Sequence, residues 1–260
     1  MTPGYQALHE GAAILDLSAR GKILMRGEDR ARLLHAMSTN HIQQLQPGQG
    51  CYVFFLNAQG RILADAWVLC LADALLLDTE PETREKLYQH LDSFIIADDV
   101  QLEDATPAFA TIAVEGPRAS GMLEGLPASA TGAPGRRVFV PVLERAALVE
   151  NLKRQGAVPA TGEDVRLARV ENRQPRYGED ITEVSLPQET QLMHALNFSK
   201  GCYLGQEIVE RIRSRGHVNK LLAGLEMDGD PPAPGVKITP GGEITSSIFS
   251  ARRGKVVALG

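Results

Sequence analysis

The sequence predicts an α+β fold with mainly antiparallel sheet, ending in a small C-terminal β-barrel. Three observations carry this. Strand-like and helix-like runs interleave through the chain without a strict strand–helix–strand repeat. Apolar runs are joined by tight turns at Asn57-Ala58-Gln59-Gly60 and Ala72-Asp73, the pattern of antiparallel hairpins. Beyond Gly216 the chain turns to short β-type runs broken by Pro and Gly, which is small-barrel composition.

Taken in order, Lys22 to Arg26 reads as a short strand, and Gly27-Glu28-Asp29 opens a helix over Arg30 to Met37 with Leu33, Leu34 and Met37 on one face. Pro47-Gly48-Gln49-Gly50 is a turn. Cys51 to Leu56 is a strand, Arg61 to Leu71 its hairpin partner, and Ala74 to Thr79 a third strand. Pro81 opens a helix to Ile96 carrying Leu87, Leu91, Phe94 and Ile95. Phe109 to Gly116 is a strand, Arg118 to Leu123 a short helix, and Pro127 to Gly135 an exposed loop. Arg136 to Val140 is a strand, and Leu143 to Gln155 a helix burying Leu148, Val149 and Leu152. Thr161-Gly162-Glu163-Asp164 resembles a capping box with Asp in place of Glu and opens a helix to about Asn172. Gln188 to Asn197 reads as helical, and Leu221 to Met227 as a strand. Further short strands follow, separated by Pro240-Gly241-Gly242.

At 260 residues the chain can bury a sizeable core. Its 27 basic and 32 acidic residues leave a net charge of −5, which argues against nucleic acid as a direct partner. No apolar run approaches the roughly 18 residues that span a bilayer. The start, Met1-Thr2-Pro3-Gly4-Tyr5, has the character of neither a secretory signal nor a transit peptide, so a cytoplasmic monomer away from membranes is expected. Cys51, Cys70 and Cys202 are odd in number and far apart, with no CxxC and no zinc-type spacing to the six histidines. Neither a disulfide framework nor a resident metal site is expected.

The densest chemistry lies in Lys200-Gly201-Cys202-Tyr203-Leu204-Gly205-Gln206-Glu207. Gly201 and Gly205 allow positive φ and close approach of backbone to a ligand. Cys202 stands just before the helix-like run Ile208 to Arg213 and two residues from Lys200, a setting that lowers a thiol pKa. The plainer reading is a helix-start turn with a small buried thiol. Lys, Cys, Gln and Glu crowded between glycines are poor core material.

This octapeptide resembles the hallmark of the YgfZ-type folate-binding proteins, relatives of the glycine cleavage T-protein (aminomethyltransferase) that act in iron–sulfur cluster assembly or repair. The likeness extends along the chain. Gly21 to Gly27 with Asp29, Ser38-Thr39-Asn40, Leu45 to Gly48 and Asn57 to Asp65 resemble the N-terminal T-protein region. Arg169-Val170-Glu171, Gly178 with Asp180-Ile181, and Pro187-Gln188-Glu189 resemble the central region, and Arg215-Gly216 with Lys220-Leu221-Leu222 the entry to the C-terminal barrel. The resemblance implies a three-lobed T-protein-like ring. Residues 1–217 would form the folate-binding region, with an internal boundary near 106, and residues 218–260 the barrel. The family continues with further strands beyond this point, so the barrel is either abbreviated or truncated.

It also implies a reduced folate, tetrahydrofolate or another form, as cofactor. The partners it implies are iron–sulfur assembly proteins or client enzymes such as tRNA-modifying radical enzymes. Cys202 and Lys200 would carry the chemistry, Asp65, Glu171, Asn57 and Tyr203 the folate, and Gly201, Gly205, Gln206 and Glu207 the motif's turn. Each has a plainer reading. Glu171 could be a solvated helix residue and Asp65 an outward-facing residue of a half-exposed strand. Tyr203 and Phe198 could be core, Arg211, Arg213 and Arg215 a solvated helix face, and His194 and His217 surface residues. T-proteins carry an Asp-Asp pair where this chain has Ala64-Asp65, which points away from an active aminomethyltransferase. A folate-dependent one-carbon transferase is the alternative.

Overall fold

The computed structural model describes residues 1–239 and 241–260; Pro240 of the expected Pro-Gly-Gly turn lies outside the described residues. The chain folds as two compact units, each assembled from separated segments: residues 20–107 with 181–221, and residues 1–19 with 108–180 and 222–260.

The unit of residues 20–107 and 181–221 is built on a five-stranded, wholly antiparallel sheet. Its order is Gly50–Leu56, Ile62–Cys70, Leu75–Thr79, Gly21–Arg26, Gln101–Asp104. The first hairpin is the expected one, with Asn57 accepting the amides of Gln59 and Arg61 on its side-chain oxygen. Val53, Phe55, Ala64, Ala66 and Val68 line one face of it and pack with Leu34 of the helix Arg30–Met37. The helix expected from Pro81 to Ile96 is shorter. A 3₁₀ turn, Pro81–Thr83, leads into Arg84–Asp92, and the chain then leaves Phe94 and Ile96 exposed. The helix expected over Gln188 to Asn197 is replaced by two 3₁₀ turns, Pro187–Thr190 and Met193–Ala195. Gln191 stands between them at φ 60°, a left-handed conformation that no continuous α-helix passes through. The unit closes with the helix Gln206–Arg215.

The other unit carries a five-stranded sheet in the order Val158–Pro159, Ala13–Asp16, Phe109–Glu115, Gly135–Pro141, Leu126–Pro127. Its single parallel pairing is Ala13–Asp16 with Val158–Pro159. Where a helix was expected at Arg118 to Leu123 there are turns only, with Gly121 at φ 81°. The stretch expected as an exposed loop is partly buried. Leu126–Pro127 pairs with the strand Gly135–Pro141, and residues 129–131 fold around the buried carboxylate of Glu115. A carboxylate without those donors would not tolerate burial. The helix Arg145–Arg154 buries Leu152, with Leu148 and Val149 half-buried.

The expected capping box is present. Thr161 Oγ1 accepts from the Asp164 amide at 3.2 Å, and Asp164 Oδ2 from the Thr161 amide at 2.8 Å, opening the helix Gly162–Glu171. Thr161→Ala is expected to cost about 1 kcal/mol, roughly 2–4 °C of melting temperature for a domain of this size, checked by thermal unfolding. Residues after Leu222 form a three-stranded antiparallel sheet ordered Gly224–Met227, Lys255–Leu259, Ser246–Ser250. Val257 and Leu259 pack on Val170 of that helix. The structure thus supports mixed α and β with mainly antiparallel sheet; among the described residues a closed barrel is not shown. Among the described residues no helix is long and apolar enough to cross a membrane.

Candidate functional site

The octapeptide is held on the carboxyl end of the helix Arg30–Met37. That end leaves carbonyls without intrahelical partners. Ser38 Oγ donates to Leu34 O at 2.7 Å, the Leu204 amide to Ala36 O at 3.0 Å, and Lys200 Nζ to His35 O and, at 2.8 Å, to Ser38 O. The ammonium also lies 4.7 Å from the centre of the Tyr203 ring. Lys200 is only 6% exposed. Burial lowers its pKa to about 8, although negative charge on Cys202 or Cys51 would pull it back up.

His35 completes the lock from the other side. Its Nδ1 accepts the Ile42 amide at 3.2 Å, so the proton sits on Nε2, which donates to Lys200 O at 2.8 Å. Burial first, and then the neighbouring Lys200 charge and His41, lower the His35 pKa and keep the ring neutral.

Between these fixed points Gly201 turns at φ 93° with open space around it, and Cys202 is exposed. Gly205 begins the helix Gln206–Arg215 at φ 81°. A Cβ there would lie 2.6 Å from Asn57 O and 2.9 Å from Leu56 Cβ, so glycine is required by conformation and by space. Gln206 Oε1 turns back to accept the Tyr203 amide at 3.3 Å. Tyr203 is buried, which together with Glu210 pushes its pKa up to about 12. Glu207 is exposed in the first helical turn, and Arg211, Arg213 and Arg215 are exposed beyond it. Arg213 stacks over Phe198, with its guanidinium carbon 4.3 Å from the ring centre. The structure therefore brings Lys200 through Glu207 together with Asn57, whose side-chain oxygen serves its own turn.

Asp65 lies in the same unit, on the sheet face opposite the apolar core. It is buried, and Tyr52 donates to its Oδ2 at 2.5 Å while Thr79 donates to its backbone carbonyl. Burial, and then Asp65, push the Tyr52 pKa well up. Tyr52 also touches Trp67, Phe54 and His194, with ring centres 5.3, 5.5 and 5.5 Å away. Arg20 pairs with Asp78 at 2.9 Å and with Glu80. Burial alone would lower its pKa, but Asp78 and Glu80 reverse that and hold it charged. Ser38-Thr39-Asn40 joins the two regions: Ser38 O receives Lys200, Thr39 Oγ1 receives the Phe54 amide, and Asn40 Nδ2 donates to Tyr52 O and His194 O.

Glu171 belongs to the other unit. It ends the helix Gly162–Glu171 and is buried rather than solvated. Its Oε1 accepts from Tyr5 at 2.7 Å and from Ser250, and His9 Nε2 stands 3.0 Å from Oε2. Burial and the bond to Glu171 push the Tyr5 pKa up to about 12, and burial lowers that of His9.

Ala64 faces away from Asp65, in the apolar core with Val53, Phe55 and Ile23. An acid at that position would therefore sit in the core rather than on the face bearing Asp65. Sequence reasoning did not single out His35, Tyr52, Arg20, Tyr5 or Ser250 as site residues. Of the surrounding residues, Ser38-Thr39-Asn40 enters the sequence reading through the resemblance alone. Among the described residues no group of three or more His, Cys, Asp or Glu could hold a metal ion.

The chain belongs to the GCVT N-terminal domain family, matched over residues 3–136. It is 26% identical to the chloroplastic protein At1g60990 of Arabidopsis thaliana over 96% of this chain, and it spans 64% of that relative's length. It is 26% identical to the aminomethyltransferase of Rubrobacter xylanophilus, covering 98% of this chain and 77% of that one. It is 28% identical to the mouse mitochondrial iron-sulfur cluster assembly factor IBA57, covering 92% and 72%. The solved glycine cleavage system aminomethyltransferase T of Bartonella henselae superposes with a TM-score of 0.83 over 98% of this chain and 79% of that chain, at 20% identity. The fold is aminomethyltransferase-like.

Proposed function

We propose that this protein is a YgfZ-type folate-binding protein that supports iron–sulfur cluster assembly or repair, with Cys202 as its functional thiol. The observation that carries the reading is the presentation of Cys202: an exposed thiol at a positive-φ turn, with backbone and side chains locked on both sides of it. Similarity to IBA57, named an iron-sulfur cluster assembly factor, supports the process. On this reading the partners are assembly proteins or client enzymes, among them tRNA-modifying radical enzymes. The test is rescue of a strain defective in cluster maintenance.

A reduced folate, tetrahydrofolate or a one-carbon derivative of it, is the proposed cofactor. Its pterin ring needs an aromatic surface and a carboxylate acceptor. Asp65 beside Tyr52 and the half-buried Trp67 supplies both on one sheet face. Glu171 is the second proposed folate carboxylate; its Oε1 already receives Tyr5 and Ser250, with His9 alongside Oε2. Trp67 is the only tryptophan in the sequence, so its fluorescence should report the titration. Asp65→Asn, which keeps the volume, is expected to weaken tetrahydrofolate binding at least tenfold, about 1.4 kcal/mol. Calorimetry showing no saturable heat with any reduced folate would remove the cofactor from the proposal.

A second reading, folate-dependent one-carbon transfer, is favoured by the shared aminomethyltransferase-like fold. Methylenetetrahydrofolate formation in a reconstituted glycine cleavage assay decides it.

A further inference from the structure

We propose that Tyr52 is a positioning residue for the Asp65 carboxylate: its buried hydroxyl, reaching diagonally across the sheet to Oδ2, aims that carboxylate at the amino-pyrimidine edge of the ligand. This rests on the reading of Asp65 as a folate carboxylate.

The reach follows from strand register. Tyr52 stands opposite Trp67, and Phe54 opposite Asp65, on the antiparallel strands Gly50–Leu56 and Ile62–Cys70. All four side chains therefore share one sheet face, and Tyr52 is the diagonal neighbour of Asp65. Diagonal neighbours stand roughly 7–8 Å apart, a gap that a phenol spans and a short polar side chain does not. Tyr52 closes it, with its hydroxyl 2.5 Å from Asp65 Oδ2.

The ring is fixed by its own surroundings. Phe54 meets it edge-on, with ring centres 5.5 Å apart and planes at 70°. Trp67 and His194 flank it at 5.3 and 5.5 Å, and Asn40 Nδ2 donates to Tyr52 O at 3.1 Å. Burial, and then Asp65, keep the hydroxyl protonated well above neutral pH, so it stays a donor. Thr79 Oγ1 meanwhile donates to Asp65 O at 2.5 Å, which ties down the backbone of the same residue. Tyr52 is only 8% exposed and offers no open ring face, whereas Trp67 is half-buried and His194 exposed. Those two supply aromatic surface, and Tyr52 supplies orientation. A carboxylate already held in one orientation accepts the 2-amino group and adjacent ring N–H of a reduced pterin at a smaller entropic cost than one free to rotate.

Calorimetric titration of the full chain with tetrahydrofolate tests this as a double-mutant cycle. Tyr52→Phe removes the hydroxyl alone and is expected to raise Kd about fivefold or more. In an Asp65→Ala chain the same change is expected to move Kd less than about twofold, because the hydroxyl then has no carboxylate to aim. A tyrosine that only stabilised the sheet would weaken binding equally in both backgrounds. Equal losses, or wild-type affinity in Tyr52→Phe, would overturn the proposal. If Tyr52→Phe alone does not fold, Asp65→Ala against the double variant decides: equal affinities support the role, and a further loss overturns it. If Asp65→Ala binds too weakly to titrate, a tetrahydrofolate analogue lacking the 2-amino group takes its place in the cycle. Tyr52→Phe should then cost that analogue less than about twofold, and an undiminished loss overturns the role. No saturable binding by the wild-type chain removes the folate reading and this role with it. Saturable binding with equal losses removes this role alone.

Discussion

Cys202→Ser is expected to abolish rescue of a strain defective in iron–sulfur cluster maintenance while moving the melting temperature by no more than a few degrees. The first half follows from the proposed role: an alcohol in place of a thiol neither carries sulfur nor ligates iron, and it is a far weaker nucleophile. The second half follows from packing. Cys202 is exposed, so a near-isosteric change removes no buried contact. The other thiols do not substitute for it. Cys51 is half-buried and its thiol is pushed up to about 12 by burial, with Lys200 offsetting this only in part. Burial likewise raises Cys70. Little thiolate forms at either near neutral pH, so iodoacetamide should label Cys202 first. Full rescue by Cys202→Ser would reduce the residue to a structural thiol. Labelling of Cys51 or Cys70 ahead of Cys202 would show that its surroundings are misread.

Elements whose cause is local were legible in the sequence. The helix Arg30–Met37 and the hairpin turn at Asn57 to Gly60 follow from apolar spacing and turn chemistry, and Thr161 with Asp164 announces its own cap. Where the cause is distant, the sequence was silent. Nothing near Glu171 foretells that Tyr5 and Ser250 will bury its carboxylate. Lys200 read as positive charge beside a thiol, because its carbonyl acceptors lie more than 160 residues away. The stretch Gln188 to Asn197 has helical composition, yet Gln191 turns left-handed. There Thr39 Oγ1 donates to Ala195 O and the Asn197 amide to Thr39 O, so tertiary placement overrides local propensity. Period-2 alternation places positions 64 and 65 on opposite faces of the strand. It could not say which of them faced the core.

That assignment makes Ala64→Asp a costly change. Ala64 is 0% exposed and packs among Ile23, Val53, Phe55 and other apolar side chains. A carboxylate there would be desolvated, and an alanine-sized site offers no room for its extra atoms. The expected loss is about 3 kcal/mol or more, seen as a fall in melting temperature of roughly 6–12 °C for a domain of this size. Asp65→Asn, on the opposite face and keeping its volume, should cost much less. The comparison also bears on the transferase reading. Restoring the Asp-Asp pair that the family resemblance calls for would place the new acid in the core, away from the face that carries Asp65, Tyr52 and Trp67. Ala64→Asp is therefore expected to gain no methylenetetrahydrofolate formation in a glycine cleavage assay. A variant that stayed as stable as wild type and acquired transfer activity would show that position 64 reaches the reacting groups, and would move the one-carbon transferase reading ahead of the cluster-assembly one.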